Sequence, residues 1–152
     1  MKIRLSQFLS HRFSTLILFL SLGVFATGCV SGGKEADLVP VSAFDHLGPV
    51  GYCQTGSTGN FTVTVKNQGS ANAAQSIVEV EFFPGGSKTA ELLGPGPSLS
   101  LPPGVAWDVT IFDAPPSSCF DPDCDFRITV DSTNQVSESN KANNVADGRC
   151  IG

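Results

Sequence analysis

The sequence predicts an all-β fold, an immunoglobulin-like β-sandwich of seven strands, behind a cleaved N-terminal export segment. Three observations predict it. Four segments alternate apolar and polar residues with a period of two, the pattern of a strand buried on one face. Clusters of glycine, proline and asparagine punctuate the intervals between them, as tight turns require. Beyond the N-terminal apolar run, no segment sustains a helical period.

The export segment comes first. Lys2, Arg4 and Arg12 are basic, and no acid precedes Glu35. Leu16 to Phe25 is a core of ten mostly apolar residues, followed by the small Ala26-Thr27-Gly28. This is the anatomy of a secretory signal. The core falls short of the roughly 20 apolar residues that span a bilayer. Ala26-Thr27-Gly28-Cys29 resembles the bacterial lipobox, in which the cysteine is lipidated and becomes the first mature residue. Ala26 stands where such signals usually carry Leu, Val or Ile. The resemblance implies that residues 1–28 are removed and that acyl chains on Cys29 hold the protein to a membrane. Residues 29–35 are then a short tether to a domain over residues 36–152. Several acyl chains give stable attachment, at about 0.8 kcal/mol per buried CH₂. Val30 is not the Asp that retains lipoproteins at an inner membrane. In a bacterium with two membranes, the resemblance therefore implies the outer one.

Charge narrows the function. Without the three basic residues of the signal, six Lys and Arg face fourteen Asp and Glu, a net charge of −8. That argues against nucleic acid as a partner, which needs a basic footprint. It also argues against a second, electrostatic hold on anionic lipid.

The strands follow in order. Phe61-Thr-Val-Thr-Val-Lys66, Val78-Glu-Val-Glu-Phe82, Val105 to Ile111 and Phe126 to Asp131 alternate plainly, with Trp107 expected on the inward side. Asp37 to Phe44, Lys88 to Leu93 and Asn144 to Arg149 are weaker alternations that bring the number to seven. Asn67-Gln68-Gly69, Pro84-Gly85-Gly86, Pro95-Gly96-Pro97 and Pro102-Pro103-Gly104 read as turns. Strands of this length and spacing suggest the immunoglobulin-like sandwich. Ile77, Phe83 and Phe112 fall on outward positions and are candidates for a partner patch.

Four cysteines follow Cys29: Cys53, Cys119, Cys124 and Cys150. An even count in an exported chain reads as two disulfides. A Cys₄ zinc site is disfavoured, because no C-x₂-C pair is present. Alternating strand directions gather all four cysteines at one end of the sandwich and leave three pairings open. If Val130 faces Asn144, Cys124 lies opposite Cys150, which favours 124–150 with 53–119. The short Cys119-Phe-Asp-Pro-Asp-Cys124 loop favours 119–124 with 53–150.

The closing stretch, Ile128-Thr-Val-Asp-Ser-Thr-Asn-Gln-Val-Ser-Glu-Ser-Asn-Lys-Ala-Asn-Asn144, resembles the end of the CARDB domain, the cell-adhesion-related domain found in bacteria. Asp131, Asn134, Val136, Glu138, Asn140, Asn143 and Asn144 match that pattern, and Lys141 stands where an acid is usual. Val63-Thr-Val-Lys-Asn-Gln-Gly69, Asp37-Leu38-Val39 and Leu101-Pro-Pro-Gly104 resemble earlier parts of the same domain. The resemblance covers roughly residues 36 to 146 and implies an extracytoplasmic interaction or adhesion module. Asn and Asp in such a loop mainly cap their own backbone. The alternative is a calcium site on Asp131, Asn134 and Glu138.

Asp121-Pro-Asp123-Cys-Asp125 is a second calcium candidate, with three carboxylates in one stiff turn. Phe126 and Ser132 occupy positions where an EF-hand needs Gly and Glu, so the turn is not one. No other cofactor is expected. His46 is the single histidine after the signal, and no Ser-His or Cys-His pairing is suggested, so no enzyme is expected. Two classes remain as expectations. One is a membrane-anchored module for an envelope protein or glycan partner, calcium-dependent in its alternative form. The other is a structural accessory of the cell envelope.

Overall fold

Each alternating segment becomes a strand whose apolar side faces a second sheet. The computed structural model describes residues 33–45, 48–55, 60–120 and 123–151. The signal segment, Cys29, His46 and Asp121 lie outside the described residues. The strands are β1 (Leu38–Val41), β2 (Ala43–Asp45), β3 (Gly48–Gly51), β4 (Phe61–Asn67), β5 (Ile77–Pro84), β6 (Leu92–Pro97), β7 (Ala106–Ile111), β8 (Asp123–Val130) and β9 (Val145–Ile151). A short 3₁₀ turn, Ser117–Phe120, precedes β8. Among the described residues one sheet has the order β1-β4-β7 and the other β6-β5-β8-β9, with antiparallel neighbours throughout. These seven strands form the predicted sandwich, but the strand expected from Lys88 to Leu93 lies further along, at Leu92–Pro97. The strand expected from Asp37 to Phe44 is split. Val41 is the last residue paired with β4, and Ala43 begins a separate β2–β3 hairpin.

The core follows from the alternation. Phe61, Val63 and Val65 of β4 face Val78, Val80 and Phe82 of β5 and Phe126, Ile128 and Val130 of β8, all fully or nearly fully buried. The Phe61 ring stands edge-on to Phe82 and Phe126, with centroids 5.2 and 5.0 Å away. Such pairs add about 0.5–1.5 kcal/mol beyond the area they bury.

Two expectations are corrected at the edge strands. Pro95-Gly96-Pro97 is not a turn but the end of β6, paired with β5 through Glu79↔Pro95 and Ile77↔Pro97. An edge strand tolerates proline, since its outer side needs no donor. The intervening glycines are buried and let the facing sheet come close. A Cβ on Gly96 would lie 2.7 Å from Val109 Cγ1 and 2.8 Å from Ile111 Cδ1. Trp107 is the second correction. It has the inward parity of Val109 and Ile111 yet is 50% exposed. It lies on β7, one of the two edge strands of its sheet, in the half of that strand whose Ala106, Trp107 and Asp108 are all exposed.

The four cysteines do meet at one end. Cys53 is bonded to Cys150 and Cys119 to Cys124, with Cα separations of 5.3 and 4.5 Å. Cys124 also sits directly opposite Cys150 in the β8–β9 ladder, without a bond between them. The other end of β8 leads into residues 131–144, the loop that carries the closing motif.

Candidate functional site

The β8–β9 loop is built on polar side chains in place of a core. Asp131 and Asn134 adopt left-handed backbone angles, with φ of 51° and 56°. Asn and Asp tolerate that region because their short side chains bond locally. Asp131 accepts from the Gln135 N–H at 2.8 Å through Oδ1, and from the Val136 N–H at 3.1 Å through Oδ2. Its carbonyl accepts from the Asn134 N–H at 2.8 Å. These bonds fold the loop back and bury Val136.

Glu138 ties the loop to the start of the domain. Its Oε2 accepts from the Leu38 N–H at 2.6 Å, and its Oε1 from Asn144 Nδ2 at 2.8 Å. Ala36 and Glu138 form a parallel bridge, and the Ser139 N–H donates to the Ala36 carbonyl at 2.9 Å. Asn143 Nδ2 donates to Asp37 Oδ1 at 2.9 Å. Lys141 closes the arrangement. Its Nζ donates to the Val136 carbonyl at 2.6 Å, to Asp131 Oδ2 at 3.0 Å and to Glu138 Oε1 at 3.3 Å. Both carboxylate side chains are fully buried. Desolvation pulls the Lys141 pKa down, but the hydrogen bonds and charges of Asp131 and Glu138 outweigh it and hold the ammonium above its ordinary value. Of the calcium alternative's three residues, Asp131 and Glu138 converge, but on an ammonium. Ser132 Oγ, Asn143 Oδ1 and Asn144 Oδ1 are buried here without a hydrogen-bond partner.

The second acidic candidate lies at the opposite end of β8. Asp123 and Asp125 line a surface cavity of about 240 Å³ with Gly85, Gly86 and Arg149. Arg149 takes Asp125 bidentately, Nε to Oδ1 at 2.6 Å and Nη2 to Oδ2 at 3.1 Å, and reaches Asp123 at 4.0 Å. That hydrogen-bonded pairing lowers the Asp125 pKa. Arg127 and Asp147 form the same fork two residue pairs further along the ladder. Arg149 was not foreseen as a partner, although the signal was available. With Val130 facing Asn144, the register sets Asp125 opposite Arg149 and Arg127 opposite Asp147, and opposite charges across a ladder attract. Among the described residues, no group of three or more His, Cys, Asp and Glu is placed to hold a metal ion. Of the outward apolar candidates, Phe112 is 67% exposed, while Ile77 and Phe83 are half-buried.

The family model of the CARDB domain matches residues 35–148. The chain belongs to the CARDB family. Among solved structures, this CARDB chain is similar to the CARDB domain of a Pyrococcus furiosus protein, crystallised in complex with di-metal ions. The two are 22% identical, with a TM-score of 0.50, over 77% of this chain and 88% of that one. The likeness shows a shared fold. No curated protein matches the chain.

Proposed function

We propose that this CARDB protein is a membrane-anchored extracytoplasmic lipoprotein. Its single sandwich serves as a protein-interaction or adhesion module, or as a structural accessory of the cell envelope, without catalysis of its own. One observation carries this reading: the domain begins at Ala36, only seven residues after Cys29. Seven residues reach at most roughly 25 Å. A domain held that close to its membrane suits a short-range envelope protein or glycan, and the acidic balance does not suit nucleic acid. In a bacterium with two membranes, the outer one is the proposed site.

Mass spectrometry of the mature N-terminus tests the anchor, with acylated Cys29 as the expected result. Cys29→Ser protein that still partitions with membranes after a carbonate wash would overturn it. Crosslinking and affinity capture from envelope extracts, with the lipidated form, tests the module and is expected to recover a defined envelope partner.

The metal ions of the Pyrococcus furiosus domain raise a second reading, a calcium-dependent glycan- or protein-binding module. The residues present do not fit it as they stand. Asp131 and Glu138 are engaged by Lys141, and Asp125 is engaged by Arg149.

A further inference from the structure

Lys141 Nζ sits where three oxygens converge: the Val136 carbonyl, Asp131 Oδ2 and Glu138 Oε1, at 2.6, 3.0 and 3.3 Å. Two of them belong to fully buried carboxylates. Two buried anions bonded to one point require a cation there. A mixed set of carboxylate and carbonyl oxygens around a point is also what a hard divalent cation takes. Asn144 lies alongside. Its Nδ2 donates to the same Glu138 Oε1, and its buried Oδ1 has no hydrogen-bond partner. The charges agree as well, because two carboxylates are half neutralised by an ammonium and wholly neutralised by a dication.

We propose that the Lys141 ammonium is the built-in cation of the β8–β9 loop. It stands in the place of a divalent ion, frees the native fold from metal, and covers a latent site made by Asp131, Glu138 and the Val136 carbonyl. Lys141 is 39% exposed, so it enters from the solvent side. Shortening it opens that path, and water then completes the six to eight oxygens that calcium takes. This inference is independent of the lipid anchor.

The test melts the mature chain, made soluble by Cys29→Ser, after chelator treatment and again with added calcium. Wild type is expected to melt at the same temperature in both conditions, and so is Lys141→Arg, which keeps the charge. Lys141→Ala is expected to melt lower in chelator and to rise by about 5 °C in calcium well above a Kd of about 10⁻⁴–10⁻³ M. Adding Glu138→Gln to Lys141→Ala removes the response. If Lys141→Ala does not fold in chelator, recovery of native fluorescence on refolding with calcium supports the proposal equally. Four results overturn it: a calcium shift in wild type, a folded Lys141→Ala indifferent to calcium, a response that survives Glu138→Gln, or a Lys141→Ala chain unfolded in both conditions.

Discussion

Asn67 is fully buried at the end of β4, and its side chain holds three segments at once. Oδ1 accepts from the Asp37 N–H at 3.1 Å and the Gly69 N–H at 3.0 Å. Nδ2 donates to the Ala71 and Leu101 carbonyls, both at 2.8 Å. Replacement by alanine removes all four bonds. The Leu101 carbonyl keeps the Ala73 N–H at 2.9 Å, so it stays satisfied. The Asp37 N–H, the Gly69 N–H and the Ala71 carbonyl lose the partner described here. A buried polar group left unpaired costs about 1–3 kcal/mol. With three groups near the lower end of that range, because water reaches part of this corner, the expected loss is about 3–5 kcal/mol. A domain of this size has only about 5–15 kcal/mol to lose. Urea unfolding of the Cys29→Ser protein measures it, read as a lowered midpoint at unchanged slope. Asn67→Asp keeps Oδ1 but turns a carboxylate oxygen towards two carbonyls, so it is not expected to rescue. A loss below about 1 kcal/mol for Asn67→Ala would refute the reasoning, since the side chain would then be replaceable by water.

Other outcomes follow from the same structure. Gly69→Ala would set a Cβ 2.5 Å from the Ala36 carbonyl carbon, the Asp37 nitrogen and the Glu35 oxygen, all backbone, and is expected to destabilise by at least about 1–3 kcal/mol in the same assay. The disulfides should differ in worth, because Cys53–Cys150 closes a separation of 97 residues and Cys119–Cys124 one of 5. Chain entropy gives about 4.7 kcal/mol for the first and about 2 kcal/mol for the second, so urea unfolding of paired Cys→Ser variants should rank them in that order. The Lys141 pKa is raised on folding above its ordinary 10.5. Its contribution is therefore complete below pH 10.5 and is lost as pH rises through the folded value. Stability against urea should fall across that alkaline window in wild type and run flatter in Lys141→Met.

Much of the fold was legible because its strands bury one face each. Phe61 to Lys66 and Phe126 to Asp131 carry an alternation that only a half-buried strand explains. One register reading, Val130 against Asn144, placed Cys124 opposite Cys150 and contained the Asp125–Arg149 and Arg127–Asp147 pairs. β6 was illegible for a physical reason. Gly and Pro signal turns locally, and only the facing Val109 and Ile111 show why a Gly-Pro-Gly-Pro run is extended here. Trp107 misled because alternation reports parity and not whether a facing strand extends far enough to cover it. Asn67 announced a turn but not a junction, since its partners lie at residues 37, 71 and 101. Lys141 was legible as a misplaced charge, while its three acceptors depend on how the loop closes.

The bridge between Ala36 and Glu138 has a mechanical consequence. β1 begins at the loop end of the sandwich, whereas β9 finishes at the disulfide end. For an anchored chain gripped by a partner at the disulfide end, tension runs along the strand axes. Leu38 to Val41 then load their ladder with β4 in shear, all rungs together, in place of peeling open one rung at a time. The Leu38 N–H to Glu138 bond and the Ser139 to Ala36 bond lie at the point where the pull enters and act as a clasp. At the far end, the covalent bond from Cys53 to Cys150 joins the β3–β4 connection to β9, so force arriving at β9 is shared across the two sheets. In a chain so held, the asparagine-rich loop, which reaches the core through Val136 alone of its apolar side chains, would be the fastening that resists the pull.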